Sequence, residues 1–455
     1  MLGMQDITSG LGAMLQAIDG PRQGRPFARV TIDSRQVQDD DLFVALPGER
    51  RNGHDFISAA VAGGATGVLA EHLPSSLPPD VTVFQVGDSL AALQALAAYW
   101  RAKHDLKVIG VTGSLGKTTC KELTSAVLAS AFTVLKSEAN LNTEIGLPLT
   151  LLQLRPEHQR AVLEMGMYGP GEIRLLCQIA RPQMGVVTNV GPIHMERLGS
   201  LEAIADAKSE LVESLPPDGT AILNGDDPLV AAMAQRTTAR VVSFGASPEC
   251  DVRGAVLATE GLRGVTYGLA YGGESVDVVT GLPGRHNLHN VLGAAAVGLA
   301  DGLSLREIAA ALENPPEADL RLRILPGPNG STIIDDSYNA SPASVLAALD
   351  LLAELPGRHL ALLGDMLELG AFEEEGHRLV GRRAAHGLQA LYVLGQRGRL
   401  IGEAAQEAGQ PEVHFLPSKE EAAAVLRKAL GQGDHLLVKA SRALALETVI
   451  EELTA

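Results

Sequence analysis

The run Thr112-Gly113-Ser114-Leu115-Gly116-Lys117-Thr118-Thr119 carries the residue types that bind a polyphosphate. Its glycines let backbone N–H groups approach an anion, and a helix starting at the loop's end adds the positive end of its dipole. From that helix start Lys117 reaches terminal phosphates, and the Thr118 hydroxyl joins a Mg²⁺ shell. The common spacing needs a glycine five places before Gly116. Val111 stands there, and the glycine is Gly113 instead. An ordinary glycine turn is the competing reading, and the strand and helix expected on either side weigh against it.

Glu164 closes the apolar run Ala161-Val162-Leu163, at the carboxyl edge of a sheet, where doubly wound folds bind ligands. A carboxylate there either holds Mg²⁺ or is a solvated strand end. His194, in the loop Gly191-Pro192-Ile193-His194, reads by itself as a surface histidine. Lys208 is more informative. Leu201, Ile204, Lys208 and Leu211 share one helical stripe, at i, i+3, i+7 and i+10. A lysine on a core-facing stripe snorkels or finds a carboxylate. Burial also lowers its pKa, and a neutral amine can capture CO₂. Asn287, just before a helix over 288–299, is a good N-cap.

These residues need a frame. The first region, 1–105, has short strands such as 42–46 between Gly- and Pro-rich turns, and is closed by a helix over 89–101. The second, 106–316, alternates apolar runs at 108–111, 161–164, 185–188 and 221–223 with amphipathic helices. That alternation predicts a parallel, doubly wound sheet. Asn314-Pro315-Pro316 breaks the pattern and marks a linker, with a hinge expected over 314–320. The third region, 317–455, repeats the alternation with strands at 332–335, 359–363, 391–394 and 435–438. The fold class is α/β in three domains: a mixed N-terminal module, a central phosphate-loop domain and a C-terminal Rossmann-like domain.

With 455 residues, 46% apolar and 20% charged, the chain is globular rather than disordered. A formal net charge of −17 makes nucleic acid a poor partner, while a local basic cluster can still bind small anions. Cys120, Cys177 and Cys250 are scattered without C-x-x-C spacing, which fits a reducing compartment. Neither a signal peptide nor a membrane span is apparent, so a cytoplasmic enzyme, with no membrane partner and working as a monomer, is expected.

Further motifs accompany the shortened loop. They are Asp33-Ser34-Arg35, Gly48-Glu49-Arg50, Gly53-His54-Asp55-Phe56, Asn142-Thr143-Glu144, Glu164-Met165-Gly166-Met167 and Asn224-Gly225-Asp226-Asp227. Gly284-Arg285-His286-Asn287, Asp335-Asp336-Ser337-Tyr338-Asn339, Leu363-Gly364-Asp365-Met366 and Lys439-Ala440-Ser441-Arg442 complete the set. Over nearly the whole chain this set resembles the Mur ligases, the ATP-dependent amide-bond formers of cell-wall synthesis. The signatures are most similar to the member that joins D-alanyl-D-alanine to UDP-N-acetylmuramoyl-tripeptide. There is no Asp-Asn-Pro-Arg motif, which the diaminopimelate-adding relative is expected to carry. Leu115 departs from the family at a position that is commonly polar, and Ser341 stands where Asn is expected.

The resemblance implies roles. Gly113, Ser114, Leu115, Gly116, Lys117, Thr118, Thr119, Asn287, Asn290, Arg321 and Asp336 would bind ATP. Thr118, Glu164, His194 and a carbamylated Lys208 would hold Mg²⁺, as two ions, with Lys117, His194 and Lys208 serving catalysis. Ser34 and Arg35 in the uridine-binding module, with Asn142, Tyr338, Asn339, Lys439 and Ser441, would contact substrate. The carboxyl-terminal Lys439 and Arg442 read equally as surface charges. Other amide ligases of the superfamily, acting on folate or cyanophycin, and a non-catalytic nucleotide switch are the competing readings. The Asp33-Ser34-Arg35 module argues against the first, and the presence of Lys117, Glu164 and Lys208 against the second.

Overall fold

The computed structural model describes residues 1–21, 26–48, 51–138, 140–193, 195–313 and 322–454. The expected hinge at 314–320, His194, Arg321 and the pair Glu49-Arg50 therefore lie outside the described residues.

Three sheets follow one another along the chain. The first holds β1 (Leu15–Asp19), β2 (Val30–Thr31), β3 (Leu42–Val44), β4 (Gly67–Ala70) and β5 (Thr82–Val86). Their order is β1-β5-β4-β3-β2, parallel except for β1 on β5. The helix Ser89–Ala102, capped by the Asp88 side chain, then seats this sheet on the rest of the molecule. Its Leu93, Leu96, Ala97 and Trp100 share a single core with Leu147, Leu151, Ile173 and Leu176. Trp100 Nε1 donates to the Leu154 carbonyl at 3.1 Å, and buried Arg101 Nε to the Ala180 carbonyl at 2.8 Å.

The second sheet has nine strands. They are β6 (Lys107–Thr112), β7 (Val134–Lys136), β8 (Arg160–Glu164), β9 (Met184–Val187), β10 (Thr220–Asn224), β11 (Arg240–Gly245), β12 (Val252–Thr259), β13 (Val265–Tyr271) and β14 (Glu274–Thr280). The order is β14-β13-β12-β11-β10-β9-β6-β8-β7. Pairing is parallel from β7 to β12, but β13 and β14 are antiparallel, so the sheet is mixed rather than parallel throughout. The reason is burial. β6 and β8 to β10 are buried nearly end to end, whereas β13 alternates buried Val265, Tyr267 and Leu269 with half-buried neighbours, as antiparallel strands with one exposed face do. Gly272 and Gly273, both at positive φ, make the tight turn into β14.

The helix Leu201–Glu213 packs on β6 and β9, where Gly110 and Gly185 leave room for Leu211: a Cβ on either would lie 2.9 Å from that side chain. This close seat fixes the depth of Lys208, one turn earlier.

The third sheet comprises β15 (Arg323–Pro326), β16 (Thr332–Asp335), β17 (His359–Gly364), β18 (Ala390–Leu394), β19 (Val413–Leu416) and β20 (His435–Lys439), in the order β15-β16-β20-β17-β18-β19. Only β15 runs antiparallel. Because Asp335 on β16 pairs with Val438 on β20, Asp336 and Lys439 emerge side by side at the carboxyl ends.

Candidate active site

The loop between β6 and the helix Lys117–Ala129 is held from β9's end. Asn189 grips Leu115 at both backbone groups. Its Oδ1 accepts the Leu115 N–H at 2.8 Å, and its Nδ2 donates to the Leu115 carbonyl at 2.9 Å. Thr188 Oγ1 donates to that carbonyl as well, at 2.6 Å. Leu115 therefore works through its main chain, and its side-chain type matters little. Gly113 (φ +151°) and Gly116 (φ +77°) cannot be replaced without collision, since a Cβ would meet Thr188 Oγ1 at 1.9 Å and Asn290 Oδ1 at 2.3 Å respectively. Lys117 Nζ folds over the loop, donating to the carbonyls of Gly113 (2.8 Å) and Ser114 (3.2 Å).

Beneath the loop lies an oxygen-rich pair. Thr118 Oγ1 donates to Glu164 Oε2 at 2.8 Å, and Asn142 Nδ2 donates to Glu164 Oε1 at 2.8 Å. A hydroxyl and a carboxylate side by side at a phosphate loop are the hard donors Mg²⁺ takes, so the residues fit that ion. Asn142, expected at the substrate, orients this carboxylate.

Lys208 is buried on the same stripe as Ile204 and Leu211. It does not snorkel, and among the described residues it finds no carboxylate. Burial first, and the nearby Lys117 ammonium second, push its pKa well below the ordinary lysine value, and no carboxylate offsets them. Burial thus favours the uncharged form of this amine.

Across from the loop, Lys439 Nζ donates to Asp336 Oδ2 and, at 2.9 Å, to the Asn339 carbonyl. The Arg442 guanidinium lies 5.8 Å from the centre of the Tyr338 ring. Ser441 Oγ accepts the Leu367 N–H at 2.8 Å. A cleft of about 1290 Å³ separates the two walls, lined by Ser114 to Lys117, Asn287 and Asn290 on one side and by Asp336, Tyr338, Asn339, Lys439, Ser441 and Arg442 on the other. The structure thus brings together expected residues from the second and third regions. It leaves Ser34 and Arg35 apart, on the first region's surface, where Arg35 clamps Asp33 with bonds of 2.9 and 2.7 Å and holds that carboxyl at about 2.

Models of three Mur ligase domains match this chain: the Mur ligase family catalytic domain over residues 26–101, the middle domain over 111–298 and the glutamate ligase domain over 320–442. The UDP-N-acetylmuramoyl-tripeptide–D-alanyl-D-alanine ligase of Synechocystis sp. is 38% identical over 100% of this chain and 98% of its own length. The chain belongs to the Mur ligase family. The Escherichia coli ligase of the same name is 36% identical, over 98% of each chain. Among solved structures, MurF from Acinetobacter baumannii superposes with a TM-score of 0.87 at 29% identity, covering 100% of this chain and 98% of that one. MurF from Thermotoga maritima in complex with ADP gives 0.80 at 30% identity, over 94% and 97%.

Two local expectations for this Mur ligase are corrected or resolved by the structure. Asn287 is not a side-chain N-cap. A short 3₁₀ turn, Arg285–Asn287, precedes the helix Leu288–Ala300, so the Asn287 backbone is already helical. Its amide turns back to the Pro283 carbonyl at 2.9 Å, and its Oδ1 accepts from Asn290 at 2.9 Å. Ser341, the departure from the family, is the side-chain cap of the helix Pro342–Ala353. The loop-gripping roles of Thr188 and Asn189 went unread. Their signal is two polar residues directly after the apolar run of β9, beside the strand that carries the loop.

Proposed function

We propose that this Mur ligase joins the free amine of D-alanyl-D-alanine to the terminal carboxylate of UDP-N-acetylmuramoyl-tripeptide, converting ATP to ADP and phosphate. The observation that carries the reading is the cleft with the phosphate loop on one wall and the Asp336–Lys439 pair on the other. The chain also matches ligases named for this reaction from end to end.

A carboxylate needs a good leaving group before an amine can displace it. Transfer of the γ-phosphoryl group to a carboxylate oxygen gives an acyl phosphate. The amine then bonds to the acyl carbon, the C–O bond to phosphate breaks, and the amine's surplus proton is lost. Little covalent chemistry falls to the protein, which positions reactants, balances charge and excludes water. Lys117 and the loop amides hold the phosphates, and Asn287, Asn290, Asp336 and Arg321 border the nucleotide. Tyr338, Asn339, Lys439 and Ser441 contact the peptide end, while Ser34 and Arg35 anchor the uridine-linked end.

Thr118 and Glu164 would hold Mg²⁺, which would supply charge neutralisation at the phosphates. A second ion is assigned to His194 and Lys208. The uncharged Lys208 amine would bond to the carbon of CO₂ and lose one proton, so that a buried neutral amine becomes a carbamate anion. The same reading makes the enzyme a cytoplasmic monomer. Among the described residues no helix is long and apolar enough to cross a membrane.

Incubation with ATP, Mg²⁺, D-alanyl-D-alanine and UDP-N-acetylmuramoyl-tripeptides ending in either diaminopimelate or lysine tests the assignment by mass spectrometry. A pentapeptide product from one of them is expected, and none from either sinks it. Phosphate release that ignores both acceptor and donor would point to the nucleotide switch instead.

A further inference from the structure

Lys121 stands one turn beyond Lys117 on the phosphate-loop helix, yet it is fully buried and does not line the cleft. A buried ammonium is costly unless paired and hydrogen-bonded. Here Nζ lies 2.7 Å from Glu122 Oε1 and donates a 2.6 Å hydrogen bond to the Ser137 carbonyl. Glu122 also pairs, at 2.5 Å, with Lys136, the last residue of β7. Two adjacent residues at that strand's end are thus tied to the helix that begins with Lys117 and Thr118.

Ser137 carries the tie onward. It is itself buried, and its Oγ accepts the backbone N–H of Glu164 at 2.9 Å. Its own N–H donates to the Val162 carbonyl at 3.1 Å. A few residues later Asn142 orients the Glu164 carboxylate, while its carbonyl accepts the Gly166 N–H at 2.9 Å. Glu164 is therefore held at its amide by Ser137 and at its carboxylate by Asn142 and Thr118. Lys121 joins the first of these holds to the helix that bears the last. An apolar side chain of similar length could fill the space but could not hold the Ser137 carbonyl.

We propose that Lys121 is a positioning residue: by fastening the end of β7 to the phosphate-loop helix, it sets Glu164 against Thr118 and so determines how strongly Mg²⁺ tightens nucleotide binding. The proposal rests on Thr118 and Glu164 being the metal pair, and the experiment separates the two claims. ADP is titrated calorimetrically into the full-length protein, once in EDTA and once in Mg²⁺. Glu164→Gln should lose the tightening that Mg²⁺ gives the wild type. If it retains that tightening, the metal-pair reading fails, and the inference about Lys121 falls with it.

With the pair established, Lys121→Met should keep its affinity in EDTA within about twofold and lose about tenfold or more of the Mg²⁺ enhancement, the scale on which supporting residues act on metal sites. Ser137→Ala, which deletes only the hydroxyl, should show the same pattern more weakly. It decides the matter where Lys121→Met does not fold. Equal weakening in EDTA and Mg²⁺ marks a merely structural role and overturns the proposal, as does an unchanged Mg²⁺ enhancement in the folded variants.

Discussion

Gly116 faces Asn290 so closely that a Cβ on the glycine would lie 2.3 Å from Asn290 Oδ1. Asn290 cannot simply swing aside, because its Nδ2 is held by Asn287 Oδ1 at 2.9 Å. The glycine also sits at φ +77°, which strains an L side chain by about 1–3 kcal/mol. Gly116→Ala should therefore displace the loop and weaken ADP binding by about tenfold or more, the equivalent of about 1.4 kcal/mol. Leu115→Ser, one residue earlier, should bind ADP like the wild type, since Leu115 is held by its backbone alone. Titration of both variants checks the contrast.

Lys208→Met should separate stability from activity. Turnover should fall by about 10²-fold or more if the lysine contributes charge at the reacting phosphates. The fold should lose nothing, because an apolar chain replaces a buried amine that has no carboxylate partner among the described residues. Short carboxylic acids added to Lys208→Ala should restore part of the rate, and failure of any rescue would count against the carbamate.

The same lysine predicts a pH dependence. Its folded pKa lies well below the ordinary value of 10.5, so between those two values the unfolded chain holds a proton that the folded chain does not. Stability rises with pH wherever the unfolded state binds more protons. It should therefore climb through that window and fall as pH drops toward the folded value. In CO₂-free buffer the melting temperature of the wild type relative to Lys208→Met should rise as pH climbs toward 10.5. A flat difference would mean that Lys208 titrates alike in both states.

How much of this was legible in the sequence depended on the range of the interaction. β6, β8, β9 and β10 read clearly because buried parallel strands are nearly continuous apolar runs. Lys208 read clearly because helical spacing alone puts it with Ile204 and Leu211. β13 and β14 were missed, although the alternation Val265, Tyr267, Leu269 and the turn Gly272-Gly273 were their local signal. The Thr118–Glu164–Asn142 assembly had no such signal. Its members come from a helix start, a strand end and a loop, and only the sheet order β6-β8-β7 brings them together. Asn287 misled for a local reason: a 3₁₀ turn ahead of the helix removes the extended backbone that a capping side chain needs.

Arg35→Ala tests the first region's part. Arg35 is a largely exposed partner of Asp33, and exposed ion pairs contribute little to stability. The melting temperature should hardly move near neutral pH. Asp33 is held at about 2, so the little stability the pair provides is present above the ordinary carboxyl value of 3.8 and is lost as pH falls through about 2. The KM for the uridine-linked substrate should rise several-fold while kcat and the KM for D-alanyl-D-alanine stay put. A matched fall in kcat would move Arg35 out of the anchoring role.

Ser341 offers the sharpest test of a family departure. Its backbone is extended (φ −139°, ψ 160°), Pro342 follows as the first helical residue, and its side chain accepts the Ser344 N–H. All three features belong to a helix N-terminus. The 3.4 Å length of that bond is long, but Ser344 Oγ answers by accepting the Ser341 N–H at 2.9 Å, so the two serines cap each other. Ser341→Ala should cost about 1 kcal/mol in urea denaturation, whereas Ser341→Asn, the residue expected from the family, should cost almost nothing. The helix Pro342–Ala353 begins just after Tyr338 and Asn339, so a frayed cap should reach the cleft too. Ser341→Ala should therefore raise the KM for D-alanyl-D-alanine together with its loss of stability, and Ser341→Asn should restore both. If alanine shifted the KM while leaving the urea midpoint untouched, Ser341 would be a substrate contact rather than a cap.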